Sequence, residues 1–220
     1  MSAVKTNELY DLSHTRAAEY LKNTTYPHEA LADIGKWILA IGEELDTEKF
    51  DHPSPDIWIA KSAKVAPSAA ITGPCIIDED TEVRHCAFIR GNALVGENCV
   101  VGNSTELKNV ILFDGVQVPH YNYVGDSILG YKAHMGAGSI TSNVKSDKSL
   151  VVIHAQPPIA TGIKKVGALL GDRVEIGCNS VLNPGTVIGR DSMVYPTSCV
   201  RGVVPACSIY KKDDTITPKR

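Results

Sequence analysis

The sequence predicts a mainly β fold, a parallel β-helix solenoid, and three observations carry that expectation. Ile59, Val65, Ile71, Ile77, Val83, Ile89, Val95, Val101 and Leu107 follow one another at intervals of six. Small residues sit one and four places after many of these positions, as in Ala60 and Ala63, Ala66 and Ala69, Gly96 and Cys99, Gly102 and Thr105, and Gly189 and Ser192. The beat loosens at Leu112, Val118, Val124, Leu129 and Met135, then is strict again at Leu170, Ile176, Leu182, Ile188, Val194 and Val200. Each hexapeptide then supplies one short strand and one tight corner, and three of them close a triangular coil with the beat residue inside. Unrelated β-sandwich strands would not hold one interval over so long a run.

Taken in order, residues 4–22 place Leu9, Leu12, Ala17 and Leu21 near helical spacing. Pro27 can open a second helix in which Leu31, Ile34, Ile38, Ile41 and Leu45 recur every three or four residues beside Trp37. Two amphipathic helices are therefore expected within residues 1–50, as an N-terminal helical cap over the exposed strand edges that a solenoid leaves at its end. Pro53 and Pro55 break helix and make 46–56 an extended link. The β-helix is expected over 57–205, interrupted by an excursion loop at about 143–166 that carries Pro157, Pro158, Gly162 and four lysines. Residues 206–220 read as a charged, mobile tail outside the solenoid.

Composition narrows the function. A formal net charge of −3 with mixed signs and no basic stripe gives no footprint for nucleic acid or an anionic membrane. The six cysteines, Cys75, Cys86, Cys99, Cys178, Cys199 and Cys207, have no CxxC spacing and read as buried small residues in a reducing compartment. With no signal-peptide pattern and no apolar run of membrane-spanning length, a cytoplasmic location is expected.

Chemistry-bearing residues gather where the beat fails. Arg90 and Lys108 are eighteen residues apart, so an eighteen-residue coil stacks one on the other; they are either a phosphate clamp or two solvated charges. His120, in PHYNYVGD, is either a general base suited to neutral pH or a structural histidine. The glycines of MGAGS at 135–139 suit either close ligand approach or an ordinary corner. There is no GxGxxG and no P-loop. His120, His134 and His154 lack the close histidine pair of zinc-binding solenoids, so no metal site is expected and a metal-dependent hydratase is the weakest reading.

These motifs, GNSTELK, HYNYVGD and GAGSITSN, within FIRGNALVGENCVVGNSTELKN and QVPHYNYVGDSILGYKAHMGAGSITSN, are similar in order and spacing to those of a known family. The chain resembles the C-terminal acetyltransferase domain of the bifunctional N-acetylglucosamine-1-phosphate uridyltransferase/glucosamine-1-phosphate acetyltransferase. The resemblance implies a left-handed parallel β-helix, an exception to the right-handed crossover rule, and a homotrimer with sites between subunits. It implies acetyl-CoA as co-substrate and an amino-sugar phosphate or nucleotide sugar as acceptor. By the same resemblance His120 is the general base, Arg90, Lys108, Tyr123, His134, Asn143 and Lys148 bind the sugar, and Ala137, Asn143, Cys178 and Pro196 line the coenzyme channel. His134 replaces an asparagine of the family, Val144 a tyrosine and Cys178 a serine, and Lys148 is one place out of register. Residues 1–56 are too few for a nucleotide-binding α/β fold, so uridyltransferase chemistry is not expected of this sequence. The expected activity is acetyl-CoA-dependent N-acetyl transfer, with a non-catalytic sugar-nucleotide-binding or assembly module as the alternative.

Overall fold

The computed structural model describes residues 4–219. Stacked parallel coils form its body, and the register explains the beat. Ile57, Cys75 and Ala93 are neighbours in successive coils, a rise of eighteen residues. From there the repeat drops to seventeen, as in Val100↔Gln117, Glu106↔Tyr123 and Gln117↔His134. The missing residue is lost at one corner, where the seven-residue strands Glu106–Leu112 and Tyr123–Leu129 bend past the turn instead of breaking. Asn109 (φ 57°) and Asp126 (φ 48°) make that bend, stacked above Asn92 (φ 49°), and Asn and Asp are among the few side chains that accept the left-handed region. Two five-residue sides, Leu107 to Leu112 and Val124 to Leu129, are what loosens the hexapeptide pattern.

The next coil takes 41 residues, His134↔Glu175, which is 24 more than the coil below. The insertion leaves at Asn143 and returns at Val166, whose N–H donates to the Asn143 carbonyl at 3.1 Å. It folds into a two-strand hairpin, Val152–Ile153 against Ile159–Ala160, and buries Val151 and Ile153. Above it the coils resume eighteen-residue spacing, Glu175↔Met193 and Val181↔Cys199.

Each coil presents three faces. On one face the residue between inward-pointing positions should meet water, because side chains alternate along a strand. Yet Ile76, Leu94, Ile111, Ile128, Leu169 and Val187 are all buried there. The N-terminal segment covers them, and here the structure departs from the two expected helices and the end cap. Helix is limited to Thr6–Leu9, Ala18–Leu21 and Ile34–Glu43, joined by 3-10 turns at Leu12–His14 and Pro27–Ala32. The segment is a strap along the flank of the solenoid. Between its short helices and turns its backbone bonds to the coils: Asp172 N–H donates to the Leu9 carbonyl (3.0 Å), Asp11 N–H to the Asp172 carboxylate (2.8 Å), and Asp114 N–H to the His14 carbonyl (3.1 Å). A continuous helix would have needed those groups internally. Arg16 forks onto buried Asp78, and Asn109 Nδ2 donates to the Leu31 carbonyl at 3.0 Å.

Antiparallel strands close the ends. Phe50–Ser54 pairs with Ile57–Ala60 below, and Ile216–Pro218 with Ser208–Tyr210 above. Since Ser208–Tyr210 continues the parallel stack on Met193, the solenoid runs past residue 205, and the described part of 206–220 is a hairpin in place of the expected free tail.

Of the six cysteines only Cys75 and Cys99 are buried; Cys86, Cys178, Cys199 and Cys207 are exposed, because they fall at corners or on outward positions. Burial pushes the Cys75 thiol up to about 12 and raises Cys99 further, which keeps both protonated. Among the described residues no helix is long and apolar enough to cross a membrane.

Candidate active site

His120 ends the strand Gln117–His120 at an exposed corner. Its register partner below is Asn103, and above it Gly138 N–H donates to the His120 carbonyl at 3.0 Å, which sets Ala137 beside it. The same ladder continues upward, Asn179 N–H to the Ala137 carbonyl and Thr197 N–H to the Cys178 carbonyl, both at 2.8 Å. Ala137, Cys178 and Pro196 therefore stand in one column above His120, about 4.8 Å per coil. Cys178 and Pro196 are exposed. The glycines of 135–139 serve the corner: a Cβ on Gly136 would come within 2.7 Å of Cys178 N, and Gly138 has φ 71°.

Around that corner lies the second half of the site. Leu107 pairs with Ile89 below and Val124 above, so Arg90 and Lys108 are stacked as the eighteen-residue spacing predicts. Neither cation is free. Arg90 Nη1 donates to Glu106 Oε1 at 2.7 Å, and Lys108 Nζ lies 3.0 and 3.2 Å from the two oxygens of Asp126. Asp126 also accepts from Asn109 Nδ2 at 3.0 Å and from Asn143 Nδ2. Asn143 Nδ2 reaches the Tyr123 hydroxyl oxygen at 3.2 Å, which leaves the phenol proton available to donate outward. Burial and the Asp126 charge raise the Tyr123 pKa above its usual value, so the phenol stays neutral.

Arg90, Lys108, Tyr123 and Asn143 are thus gathered on one face, with His120 three residues before Tyr123 across the corner. Two other expected residues stand apart within a single chain. His134 pairs with Gln117, three residues before His120, which is about 10 Å along the strand; its Nδ1 meets Glu175 Oε2 at 2.8 Å. Lys148 is exposed on the excursion, its N–H turned to the Lys145 carbonyl. A cavity of about 570 Å³ between excursion and coils is lined by Ser142, Lys145, His154, Asn183 and Arg201 among others, and does not include His120. His120, His134 and His154 are not brought together. Three carboxylates that do approach one another, Asp78, Glu79 and Glu97, lie at the strap, where Arg16 pairs with Asp78 and Glu79 and Lys49 with Glu79.

Glu106 and Asp126 escaped the sequence reading although both stand inside quoted motifs, GNSTELK and HYNYVGD. Eighteen-residue steps from Arg90 reach Lys108 and then Asp126, so the spacing does hold a signal for Asp126, although the strand pairing sets Lys108 against Gly125 and puts Asp126 one place further, at the bend.

The family model described as the GMPPB C-terminal domain matches residues 71–212. The chain belongs to this family. The GMPPB C-terminal match thus takes in every site residue named above, from Arg90 to Pro196, and leaves the strap outside it. The bifunctional protein GlmU of Methanococcus maripaludis strain C5 is 33% identical over 178 residues, covering 72% of this chain and 43% of that protein. GlmU of Methanococcus aeolicus is 33% identical over 204 residues, covering 84% of this chain and 48% of that one. The chain spans less than half the length of these relatives. Among solved structures, PerB from Caulobacter crescentus in complex with CoA and GDP-perosamine matches with 20% identity and a TM-score of 0.38, over 73% of this chain and 56% of that one.

Proposed function

We propose that the protein transfers an acetyl group from acetyl-CoA to the amine of an amino-sugar phosphate or nucleotide sugar, working as a homotrimer. The observation that carries this reading is the continuity of one corner: His120 has the Ala137, Cys178 and Pro196 column directly above it and the Arg90, Lys108, Tyr123 and Asn143 group around the turn. The column offers a narrow, small-residue track for an extended thioester. The polar group offers paired cations for a phosphate and a phenol and amide for sugar hydroxyls. A relative from Sulfurisphaera tokodaii, named a bifunctional sugar-1-phosphate nucleotidylyltransferase/acetyltransferase and 28% identical over 67% of this chain, supports the same class of ligands.

In this reading the sugar nitrogen attacks the thioester carbonyl, a C–N bond forms and the C–S bond breaks. His120 takes the proton lost by the amine, and the departing thiolate leaves as the free thiol after taking up a proton. No acyl-enzyme is needed, so the protein's work is alignment and proton removal. Asn143 touches both Tyr123 and Asp126 and therefore links sugar binding to the root of the excursion.

The test is thiol release on mixing the protein with acetyl-CoA and a panel of amino sugars that includes glucosamine 1-phosphate and nucleotide-linked amino sugars. His120→Ala is expected to lower kcat by about 10²- to 10⁴-fold while leaving the circular dichroism spectrum unchanged. Absence of thiol release across the panel, or a variant as fast as wild type, overturns the reading.

A further inference from the structure

We propose that Asp126 is a positioning residue, whose carboxylate holds Lys108 and Asn143 in register across three coils so that both face the acceptor. Its side chain is 5% exposed, and Lys108 Nζ, Asn109 Nδ2 and Asn143 Nδ2 all converge on it. A carboxylate so deeply placed needs a cation, and Lys108 supplies it. The lysine, otherwise a flexible four-carbon stem, is thereby fixed in one place.

The corner itself does not require an acid. Asn92 and Asn109 hold the equivalent left-handed turns in the two coils below, and Asn92 Nδ2 reaches Asn109 Oδ1 at 3.3 Å. An asparagine at 126 would satisfy the backbone, so the charge at 126 serves its partners. Those partners join two distant parts of the chain. Lys108 belongs to the acceptor face, whereas Asn143 is the last residue before the excursion and Gly167 N–H, where the excursion has returned, donates to the Asp126 carbonyl at 2.7 Å. Asp126 thus ties the acceptor-side cation to both roots of the inserted segment.

The consequence for turnover rests on the acyl-transfer reading. Asp126→Asn keeps the size and the turn and removes the charge. It is expected to lower kcat/KM for glucosamine 1-phosphate by about tenfold or more, to leave KM for acetyl-CoA within about twofold, and to shift the melting temperature little. A residue that merely supported the fold would lower stability and treat both substrates alike. In the double variant Lys108→Ala/Asp126→Asn the loss should be smaller than the product of the two single losses, since Asp126 acts in part through Lys108; losses that multiply overturn the proposal, as does an Asp126→Asn variant equal to wild type. If Asp126→Asn does not fold, Asp126→Glu takes its place, and an unimpaired Asp126→Glu overturns it. Should wild type release no thiol with any acceptor, the acyl-transfer reading fails separately. Calorimetric binding of glucosamine 1-phosphate without coenzyme then decides: weaker binding by Asp126→Asn than by wild type supports the positioning role, and equal or absent binding in both overturns it.

Discussion

Asp114 shows what a single carboxyl group costs when the strap covers it. Its Oδ1 accepts the Glu97 N–H at 2.9 Å, and His14 of the strap stands over it with Nδ1 3.8 Å from Oδ2. Burial, with the Glu97 and Asp78 charges nearby, pushes its pKa up to about 6. A carboxyl group whose pKa is raised on folding favours the native state most below its unfolded value near 4, and that contribution is lost as pH rises through about 6. At pH 7.5 Asp114 is therefore ionised at a net cost. Asp114→Asn, which keeps the acceptor for Glu97 N–H, is expected to be more stable than wild type at pH 7.5 by roughly 1–2 kcal/mol, the side chain being partly solvated. Urea midpoints measured from pH 4.5 to 7.5 check this, and a difference that does not shrink toward pH 4.5 contradicts it. The residues of the site were easier to read than this one. Arg90, Lys108, His120, Tyr123 and Asn143 could be found because motif order survives a change of register. Asp126 lies one eighteen-residue step beyond Lys108 and Glu106 inside a motif, yet their roles were not legible, because which side chains converge on them depends on how the coils are stacked.

At the scale of elements, the coils were legible and the strap was not. A strict interval of six leaves one architecture available, but the apolar residues of 4–45 fit either a helix pair or a chain laid along a groove. The decisive signal lay elsewhere in the sequence, in the outward row Ile76, Leu94, Ile111, Ile128, Leu169 and Val187, whose apolar character means that something covers that face. Leu9, Leu21, Leu31, Ile34 and Ile38 are the buried side chains of that cover. Its polar fastening is Arg16, whose guanidinium forks onto the 1% exposed Asp78 carboxylate and lies over the Phe50 ring at 5.3 Å. Removing one partner of such a pair strands a buried charge, which costs more than the pair itself contributes. Arg16→Ala should lose roughly 2–3 kcal/mol in urea unfolding, at the lower edge of the buried-pair range because Arg16 is partly exposed. Arg16→Ala/Asp78→Asn should recover more than half of that loss. A double variant no more stable than Arg16→Ala would mean that packing on Phe50, and not the stranded carboxylate, sets the effect.

For the whole molecule the strap changes what kind of solenoid this is. In a bare solenoid each coil touches only its neighbours, so unfolding can start at one end and proceed coil by coil. Here one segment makes contact from the first coil, where Gly42 abuts the Trp58 ring, through Asp78, Asn109 and Asp114 to Asp172, which receives Asp11 N–H and donates to Leu9. Coils that never touch are thus fastened to the same chain, and losing one costs the strap contacts of the others. The native protein should therefore unfold in a single step, with tryptophan fluorescence and far-ultraviolet circular dichroism giving one urea midpoint. The two probes report different places: Trp37 stacks on Tyr20 within the strap and Trp58 lies in the first coil, while dichroism follows the strands throughout. Tyr10→Ala/Arg16→Ala removes the ring packed on Phe113 and the Asp78 fastening, one toward each end of the covered row. At one fixed protein concentration, the fluorescence transition of this variant should precede the dichroism transition by about 0.5 M urea or more, with a smaller apparent m-value as cooperativity breaks up. If both probes still coincide and m equals that of wild type, the coils hold one another without help, and the strap is only a cover for an apolar face.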